Sequence, residues 1–137
     1  MSATRRGQTL EETLVVVGTV EHGDQRGRTL GFPTANICSE NELPPPHGVY
    51  ATTVTLDGVI LPSVTNVGTR PTVDASGTTT IETHIFDLDR DLYGAEVRVG
   101  FVQRLRDERT FESLDLLKAQ IAADCTRARV LFGHLSL

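Results

Sequence analysis

Several residue types that usually reveal the class of a protein are scarce in this sequence. It has no tryptophan, one methionine and two cysteines, and aromatic residues make up 5% of it. Cys38 and Cys125 lie far apart and have no histidine at metal-ligand spacing, so we expect two free thiols. The longest apolar run near the N-terminus covers residues 14–17, which is too short for a signal peptide or a membrane span. These absences predict a cytoplasmic protein with no membrane partner.

Positive charge is also in short supply. The 13 lysines and arginines are outnumbered by 18 aspartates and glutamates, which leaves a net charge of -5. A protein that neutralises nucleic-acid phosphates usually has a basic excess and aromatic side chains for stacking. The composition therefore argues against a nucleic-acid partner, and it identifies no protein partner.

The domain organisation that the sequence predicts is simple. Residues 1–12 are polar and are expected to form a flexible tail. The remainder, residues 13–137, contains no repeat or linker, and a hydrophobic fraction of 39% is typical of one globular domain with an ordinary core.

Short β-type runs separated by turn residues occupy most of this domain. The Asp57-Gly58 pair between two alternating runs predicts a tight hairpin, and the three prolines at 44–46 predict a loop. Many short strands with no helix between them predict an antiparallel barrel or sandwich. The predicted strands cover residues 13–20, 49–56, 59–67, 79–88 and 96–105.

The hydrophobic period changes near the C-terminus. Apolar residues recur there at spacings of three and four, which predicts an amphipathic helix. Ser113 is the expected N-cap, Asp115 suits the first turn, and Gly133 is expected to end the helix. The predicted buried face consists of Leu114, Leu117, Ile121, Cys125, Ala128 and Phe132.

Residues 18–36 read GTVEHGDQRGRTLGFPTAN and are dense in glycine. Thr34 and Asn36 flank a single alanine, so an extended backbone presents a hydroxyl and an amide to the same side. We interpret the stretch as a loop that holds a polyanion by backbone N–H groups, with a hydroxyl available to a metal ion. It is not a Walker A loop, because no Gly-Lys-Ser/Thr follows the glycines.

A second polar segment lies within the predicted strand over residues 79–88. Alternation places Ile81, Thr83 and Ile85 on one face, and Glu82 and His84 on the other. A partly desolvated glutamate has a raised pKa and is a better base near neutral pH. The alternative reading is that Glu82 lies on a solvated face and His84 is a structural histidine.

Taken together, these separated motifs resemble the riboflavin kinase family, whose flavokinase module stands alone in eukaryotes and forms the C-terminal half of bacterial FAD synthetases. The resemblance extends from about residue 16 to residue 131. It implies a mainly β fold, a six-stranded antiparallel Greek-key barrel with a C-terminal helix. Its motifs are GTVEHGDQRGRTLGFPTAN at 18–36, GVYA at 48–51, NVGTRPT at 66–72, IETHIFD at 81–87, DLYG at 91–94 and RLRDERTFESLDLL at 104–117.

The resemblance also implies a reaction, the ATP-dependent phosphorylation of the terminal ribityl hydroxyl of riboflavin to give FMN and ADP. Glu82 takes the place of the general base. The implied ligands of Mg²⁺ and the nucleotide phosphates are Thr34 and Asn36, the turn around Gly23 and Gly27 closes over the phosphates, and the flavin side is assigned to Arg106, in the loop after the last strand, and Phe111.

Two alternatives stay open on the sequence. The first is a non-catalytic flavin-binding or regulatory module with the same barrel, which would bind flavin without turning it over. The second is a generic small barrel that acts as an interaction domain, which the low aromatic content and the separated motifs do not support. The lack of an adenylyltransferase domain, which most bacterial relatives carry, fits both a stand-alone kinase and a domain excised from a bifunctional enzyme.

Overall fold

Six strands and one helix are present in the computed structural model, which describes residues 14–21, 33–41, 43–70, 78–88 and 91–134. The strands are antiparallel to their neighbours and close into a barrel in the order β1-β2-β5-β4-β3-β6. The elements are β1 (Leu14–Glu21), β2 (Ala35–Ser39), β3 (Gly48–Leu56), β4 (Val59–Arg70), β5 (Thr78–Ile85), β6 (Glu96–Arg106) and α1 (Leu114–His134).

The strand order confirms the Greek-key barrel and the C-terminal helix. Strands β3, β4 and β5 are sequential neighbours, and β6 returns to lie beside β3, which is the arrangement that defines a Greek key. The turn between β3 and β4 is the predicted Asp57-Gly58 hairpin, with φ values of 52° and 80°. Positive φ at both central residues matches the right-handed twist of the two strands.

Two apolar clusters lie on opposite sides of the barrel wall. The inner cluster fills the barrel with side chains such as Val16, Val54, Val99 and Phe101. The outer cluster packs α1 against β3, β4 and β6, and it consists of Val49, Ala51, Val64, Phe86, Leu105, Cys125, Ala128 and Phe132. Strand alternation is the reason that neighbouring residues, such as Val49 and Tyr50, belong to different clusters.

A chain of hydroxyl groups crosses the barrel interior. Thr52 Oγ1 lies 2.6 Å from Ser63 Oγ and 2.8 Å from Thr65 Oγ1, which in turn lies 2.8 Å from Thr83 Oγ1. All four side chains are at most 1% exposed. Buried hydroxyls are tolerated when they bond to one another, so this chain lets threonine and serine occupy a core.

The helix follows the prediction at its start and departs from it at two positions. Ser113 Oγ accepts a hydrogen bond from the Leu116 backbone N–H at 3.1 Å, which confirms the N-cap. Leu114 is 56% exposed, so its assignment to the buried face was wrong, since the helix reaches the barrel only from its second turn onward. Gly133 does not end the helix but lies inside it, because α1 extends to His134.

The predicted loop over residues 18–36 was wrong at both of its ends. Gly18 lies within β1, paired with Ser39, and Asn36 lies within β2. Strand β2 was absent from the strands predicted by alternation. The glycines at 23 and 27 and the predicted tail over residues 1–12 lie outside the described residues.

Within the described part of the chain, no helix has the length and apolar character that crossing a membrane requires. Burial raises the pKa of the Cys125 thiol to about 11, with a further contribution from the Asp124 carboxylate. Cys125 is therefore a core residue, whereas Cys38 is an exposed thiol.

Replacing Thr65 by valine tests the interior hydroxyl chain. The valine leaves Thr52 and Thr83 facing a methyl group, and we expect the free energy of unfolding to fall by about 1–3 kcal/mol. Urea unfolding followed by circular dichroism measures the change. Thr55→Val, at a half-buried site on β3, is the control, and an equal loss in both variants would contradict a special role for the hydroxyl chain.

Candidate active site

One row of cross-strand partners follows the barrel wall and contains three of the predicted site residues. Glu82 on β5 pairs with Asn36 on β2 and with Asn66 on β4. Asn66 also pairs with Val49 on β3, and Val49 pairs with Arg106 on β6. Directly opposite residues of antiparallel strands share a face of the sheet. The row therefore runs Asn36, Glu82, Asn66, Val49, Arg106, and we call it the site row.

The site row lies on the outer surface of the barrel. Ile81, Thr83 and Ile85 are buried, and the two isoleucines belong to the inner cluster. Glu82 and His84 alternate with them and are half-buried on the outer face. The predicted division of β5 into two faces is thus confirmed, and it presents the Glu82 carboxylate outward, at the edge of the region that α1 covers.

Two asparagines flank Glu82 along the row, and each holds a buried oxygen without a hydrogen-bond partner. Within the described ranges, the buried side-chain polar atoms that lack a hydrogen-bond partner are the Oδ1 atoms of Asn36 and Asn66. A buried acceptor with no donor costs roughly 1–3 kcal/mol, so such atoms are rare unless a ligand supplies the donor or a cation. Glu82 therefore lies between two buried amide oxygens that are available as hydrogen-bond acceptors or cation ligands.

Segment 33–34, which leads into β2, is fastened to β5 beside the site row. His84 Nδ1 lies 2.8 Å from the carbonyl oxygen of Pro33, and because a carbonyl only accepts, the ring nitrogen is the donor. Thr34 is half-buried and immediately precedes β2, two residues before Asn36. His84 thus has the structural role that the sequence left open, because it positions the Pro-Thr-Ala-Asn segment next to Glu82.

At the other end of the site row, Arg106 is bound to the helix by a buried carboxylate. Its Nε lies 3.0 and 3.1 Å from the two carboxylate oxygens of Asp124, and its Nη2 lies 2.9 Å from Asp124 Oδ2. The Asp124 side chain is 2% exposed and accepts a further bond from Gln120. Arg106 was predicted in a loop, but it is the last residue of β6, where it joins the barrel to α1.

An aromatic side chain covers the Arg106 guanidinium. Phe111 lies with its ring centroid 5.6 Å from Arg106 Cζ and 4.7 Å from Arg109 Cζ. The sequence brought Arg106 and Phe111 together, whereas Asp124 was missed, since acidic residues on a helix are usually assigned to solvent. A signal for Asp124 was present nonetheless: it lies beside Cys125 on the predicted apolar face.

The segment between β6 and α1 folds back onto the outer face near the site row. The Glu108 carboxylate lies against the backbone of Gly68, in space that the Cβ of any other residue would occupy. Gly68 is two residues from Asn66 on β4, so this segment covers the neighbourhood of the row. The approaching group is the end of an exposed, flexible side chain, so a larger residue at position 68 would displace Glu108 rather than the strand.

No cluster of three histidine, cysteine, aspartate or glutamate side chains that could hold a metal ion occurs among the residues that the structure describes. A hard divalent ion such as Mg²⁺ prefers oxygen ligands. Asn36 Oδ1 fits that requirement, since it is buried, unpartnered and a hard oxygen donor.

Asp124→Asn tests the connection between helix and barrel. The substitution removes the negative charge from a buried pair and leaves the Arg106 guanidinium, whose side chain is 17% exposed, without its counter-charge. We expect a loss of about 3 kcal/mol or more in the free energy of unfolding, measured by urea titration. Asp107→Asn removes a carboxylate from the exposed pair with Arg104 and should cost far less. Similar losses in the two variants would contradict the assignment.

Comparison with known proteins places this geometry in a family. A model of the family described as "Flavokinase: Riboflavin kinase" matches residues 10–132. The bifunctional riboflavin kinase/FMN adenylyltransferase of Escherichia coli K12 is 46% identical over 90% of this chain and 40% of its own length. The RNA-binding riboflavin kinase RibR of Bacillus subtilis is 39% identical over 80% of this chain and 47% of its own length.

A solved structure agrees with these similarities. The crystal structure of riboflavin kinase from Trypanosoma brucei matches with a TM-score of 0.63 and 25% identity, over 90% of this chain and 82% of that one. The chain spans about 40% of the length of the bifunctional relatives that it matches. Both the sequence and the barrel with its C-terminal helix lead to the same conclusion: the chain belongs to the riboflavin kinase family.

Proposed function

We propose that this chain catalyses the transfer of the γ-phosphoryl group of ATP to the terminal ribityl hydroxyl of riboflavin, giving FMN and ADP. The observation that carries the proposal is the order of the site row. Its carboxylate, Glu82, stands between an amide assigned to the nucleotide, Asn36, and the arginine assigned to the flavin side, Arg106. A base in this position lies between the two substrates. It is therefore placed to accept the proton of the ribityl hydroxyl as that hydroxyl attacks the γ-phosphoryl group of ATP.

Glu82 acts as the general base in this proposal. The ribityl alcohol is a poor nucleophile at neutral pH, and a positioned carboxylate that accepts its proton accelerates such a reaction by about 10²- to 10⁴-fold. Glu82 is half-buried on a strand whose neighbouring residues are packed in the core, so its backbone is fixed. Phosphoryl transfer depends mainly on such positioning and on charge stabilisation rather than on covalent chemistry by the protein.

The nucleotide lies on the β2 side of Glu82. Asn36 Oδ1 and the Thr34 hydroxyl are hard oxygen donors separated by one residue in the chain, and they would hold Mg²⁺ together with the phosphates. When bound, the ion supplies charge neutralisation of the phosphate oxygens, which an acidic protein with a net charge of -5 needs. The backbone around Gly23 and Gly27 is assigned to the phosphates by family resemblance.

The flavin lies on the β6 side, near Phe111 and Arg106. Three guanidinium nitrogens of Arg106 are engaged: Nε and Nη2 bond Asp124, and Nη1 donates to the Asp107 carbonyl at 3.0 Å. Arg106 therefore orders this side by holding the end of β6, the helix and Phe111 together. Phe111 contributes an aromatic face of the kind on which planar rings stack.

Other expectations remain predictions for this chain. The cytoplasmic location is one, and the absence of a nucleic-acid partner is another. One relative carries RNA-binding in its name, and this chain aligns with 47% of that protein. The acidic composition is the observation that favours the absence of such a partner here.

The first experiment is an HPLC assay of the purified protein with riboflavin, ATP and Mg²⁺, in which FMN and FAD are separated. FMN without FAD is the expected result. Flavin binding, detected by fluorescence quenching, without any FMN would contradict the proposal and favour the non-catalytic flavin-binding module.

Glu82→Gln tests the base in the same assay. We expect kcat to fall by about 10²-fold or more, because glutamine keeps the size of the side chain and loses the proton acceptor. Riboflavin affinity, measured by fluorescence quenching, should change little. Glu96→Gln, at an exposed position where β6 pairs with β1, is the control and should retain full turnover. Unchanged turnover in the Glu82→Gln protein would exclude Glu82 as the base.

A further inference from the structure

The site row contains one polar residue to which the proposed reaction gives no task. Asn66 stands next to Glu82 on the β4 side, and its Oδ1 is buried without a hydrogen-bond partner. Its neighbours on β4, Thr65 and Val67, turn into the barrel and are buried there. Asn66 therefore brings a single polar group to the outer face, at a position where an apolar residue would suffer no desolvation cost.

The position of Asn66 separates it from the nucleotide. Asn36 and Asn66 lie on opposite sides of β5, about 10 Å apart along the wall at a strand spacing of roughly 4.8 Å. Outward side chains of a closed barrel also diverge. The two unpartnered oxygens therefore serve different ligand groups, and the one at Asn66 lies on the path from Glu82 to Arg106.

The chemistry of the Asn66 oxygen limits what it binds. An amide oxygen accepts hydrogen bonds and donates none, so its partner must carry an O–H or N–H group or be a cation. In the proposed reaction, the terminal ribityl hydroxyl reaches Glu82 and the flavin ring lies toward Arg106. The secondary hydroxyls of the ribityl chain, which lie between the terminal hydroxyl and the ring, then come next to Asn66.

Resting on the proposed function, we propose that Asn66 Oδ1 accepts a hydrogen bond from the secondary ribityl hydroxyl next to the reacting one. This bond fixes the last carbon–carbon torsion of the chain and so directs the terminal hydroxyl toward Glu82. Asn66 is thus a substrate-positioning residue that selects a polyol over a simple primary alcohol. A buried acceptor discriminates well, because a substrate without the matching donor leaves it unpaired.

The segment that follows β6 approaches β4 close to this acceptor. Glu108 lies against Gly68, two residues along β4 from Asn66. The Glu108 side chain is itself exposed, and it is the end of this flexible side chain that approaches the Gly68 backbone. We expect it to shift when the ribityl chain enters, which is the kind of closure that kinases use to exclude water.

A double-mutant cycle between protein and substrate tests the inference. The protein change is Asn66→Leu, which keeps the side-chain size and removes the acceptor. The substrate change is a riboflavin analogue that lacks only the secondary hydroxyl next to the terminal one. Wild-type protein should lose about tenfold in kcat/KM on the analogue, which corresponds to one net hydrogen bond of about 1.4 kcal/mol.

The informative quantity is the coupling between the two changes. The kcat/KM of Asn66→Leu on riboflavin should be lower than that of the wild-type protein by a similar factor. Its kcat/KM on the analogue should be almost the same as on riboflavin, because the variant no longer has the partner of the missing hydroxyl. If Asn66 had a purely structural role, the substitution would lower kcat/KM equally for both substrates and leave the tenfold preference for riboflavin intact. Thr80→Val is the matched control: Thr80 lies on the same face beside the row and already bonds the Gly68 carbonyl, so this variant should retain the preference.

Three further results would overturn the inference. One is a full preference for riboflavin in the Asn66→Leu protein, and another is recovery of that variant at high Mg²⁺, which would make Asn66 a cation ligand. The third is a lack of coupling in flavin affinity, measured by fluorescence quenching.

The affinity measurement needs no turnover, so it separates the inference from the proposed function. A wild-type protein that forms no FMN but shows coupled binding would refute the kinase proposal and retain the Asn66 contact. Asn66→Ala replaces the leucine variant if circular dichroism shows that the latter is unfolded.

Discussion

Hydrogen-bonded register among β2, β5 and β4 is the constraint on which the site depends. Because side chains alternate between the faces of a strand, a slip of one residue would turn Glu82 into the barrel and bring Ile81 or Thr83 outward. Such a slip would also break the chain of threonine hydroxyls and place a carboxylate in an apolar interior. The core and the site therefore stabilise the same register, since neither tolerates the alternative.

The helix is joined to this framework in two chemically different ways. Cys125, Ala128 and Phe132 pack in the outer apolar cluster, which is non-directional and tolerates small rotations of the helix. Asp124 adds a charged, bidentate contact to Arg106 that specifies one orientation. The pair costs desolvation, so its contribution is better described as precision at the Arg106 end of the site row than as net stability.

Sequence patterns predicted an antiparallel barrel or sandwich, the faces of β5 and the beginning of the helix, because each follows from local periodicity or a cap. The choice of a six-stranded barrel came from the family resemblance. Strand β2 was not predicted, because it is only five residues long and ends with an exposed cysteine and a half-buried serine. Asn66 and Asp124 were not predicted as site residues for another reason. Their importance arises from partners at sequence separations of 16 and 18 residues, at Glu82 and Arg106, and no local pattern encodes which residues meet across a barrel wall.

The filled interior of the barrel has a consequence for how this fold diversifies. Phe101 and the hydroxyl chain fill the interior, so the site row lies on the convex exterior, where connecting segments provide the further walls. The barrel framework and the surrounding walls are thus separate parts of the molecule, because the segment over Gly68, residues 107–113, contributes no side chain to either apolar cluster. Substitutions in the connecting segments can therefore change substrate choice during evolution while the barrel stays unchanged.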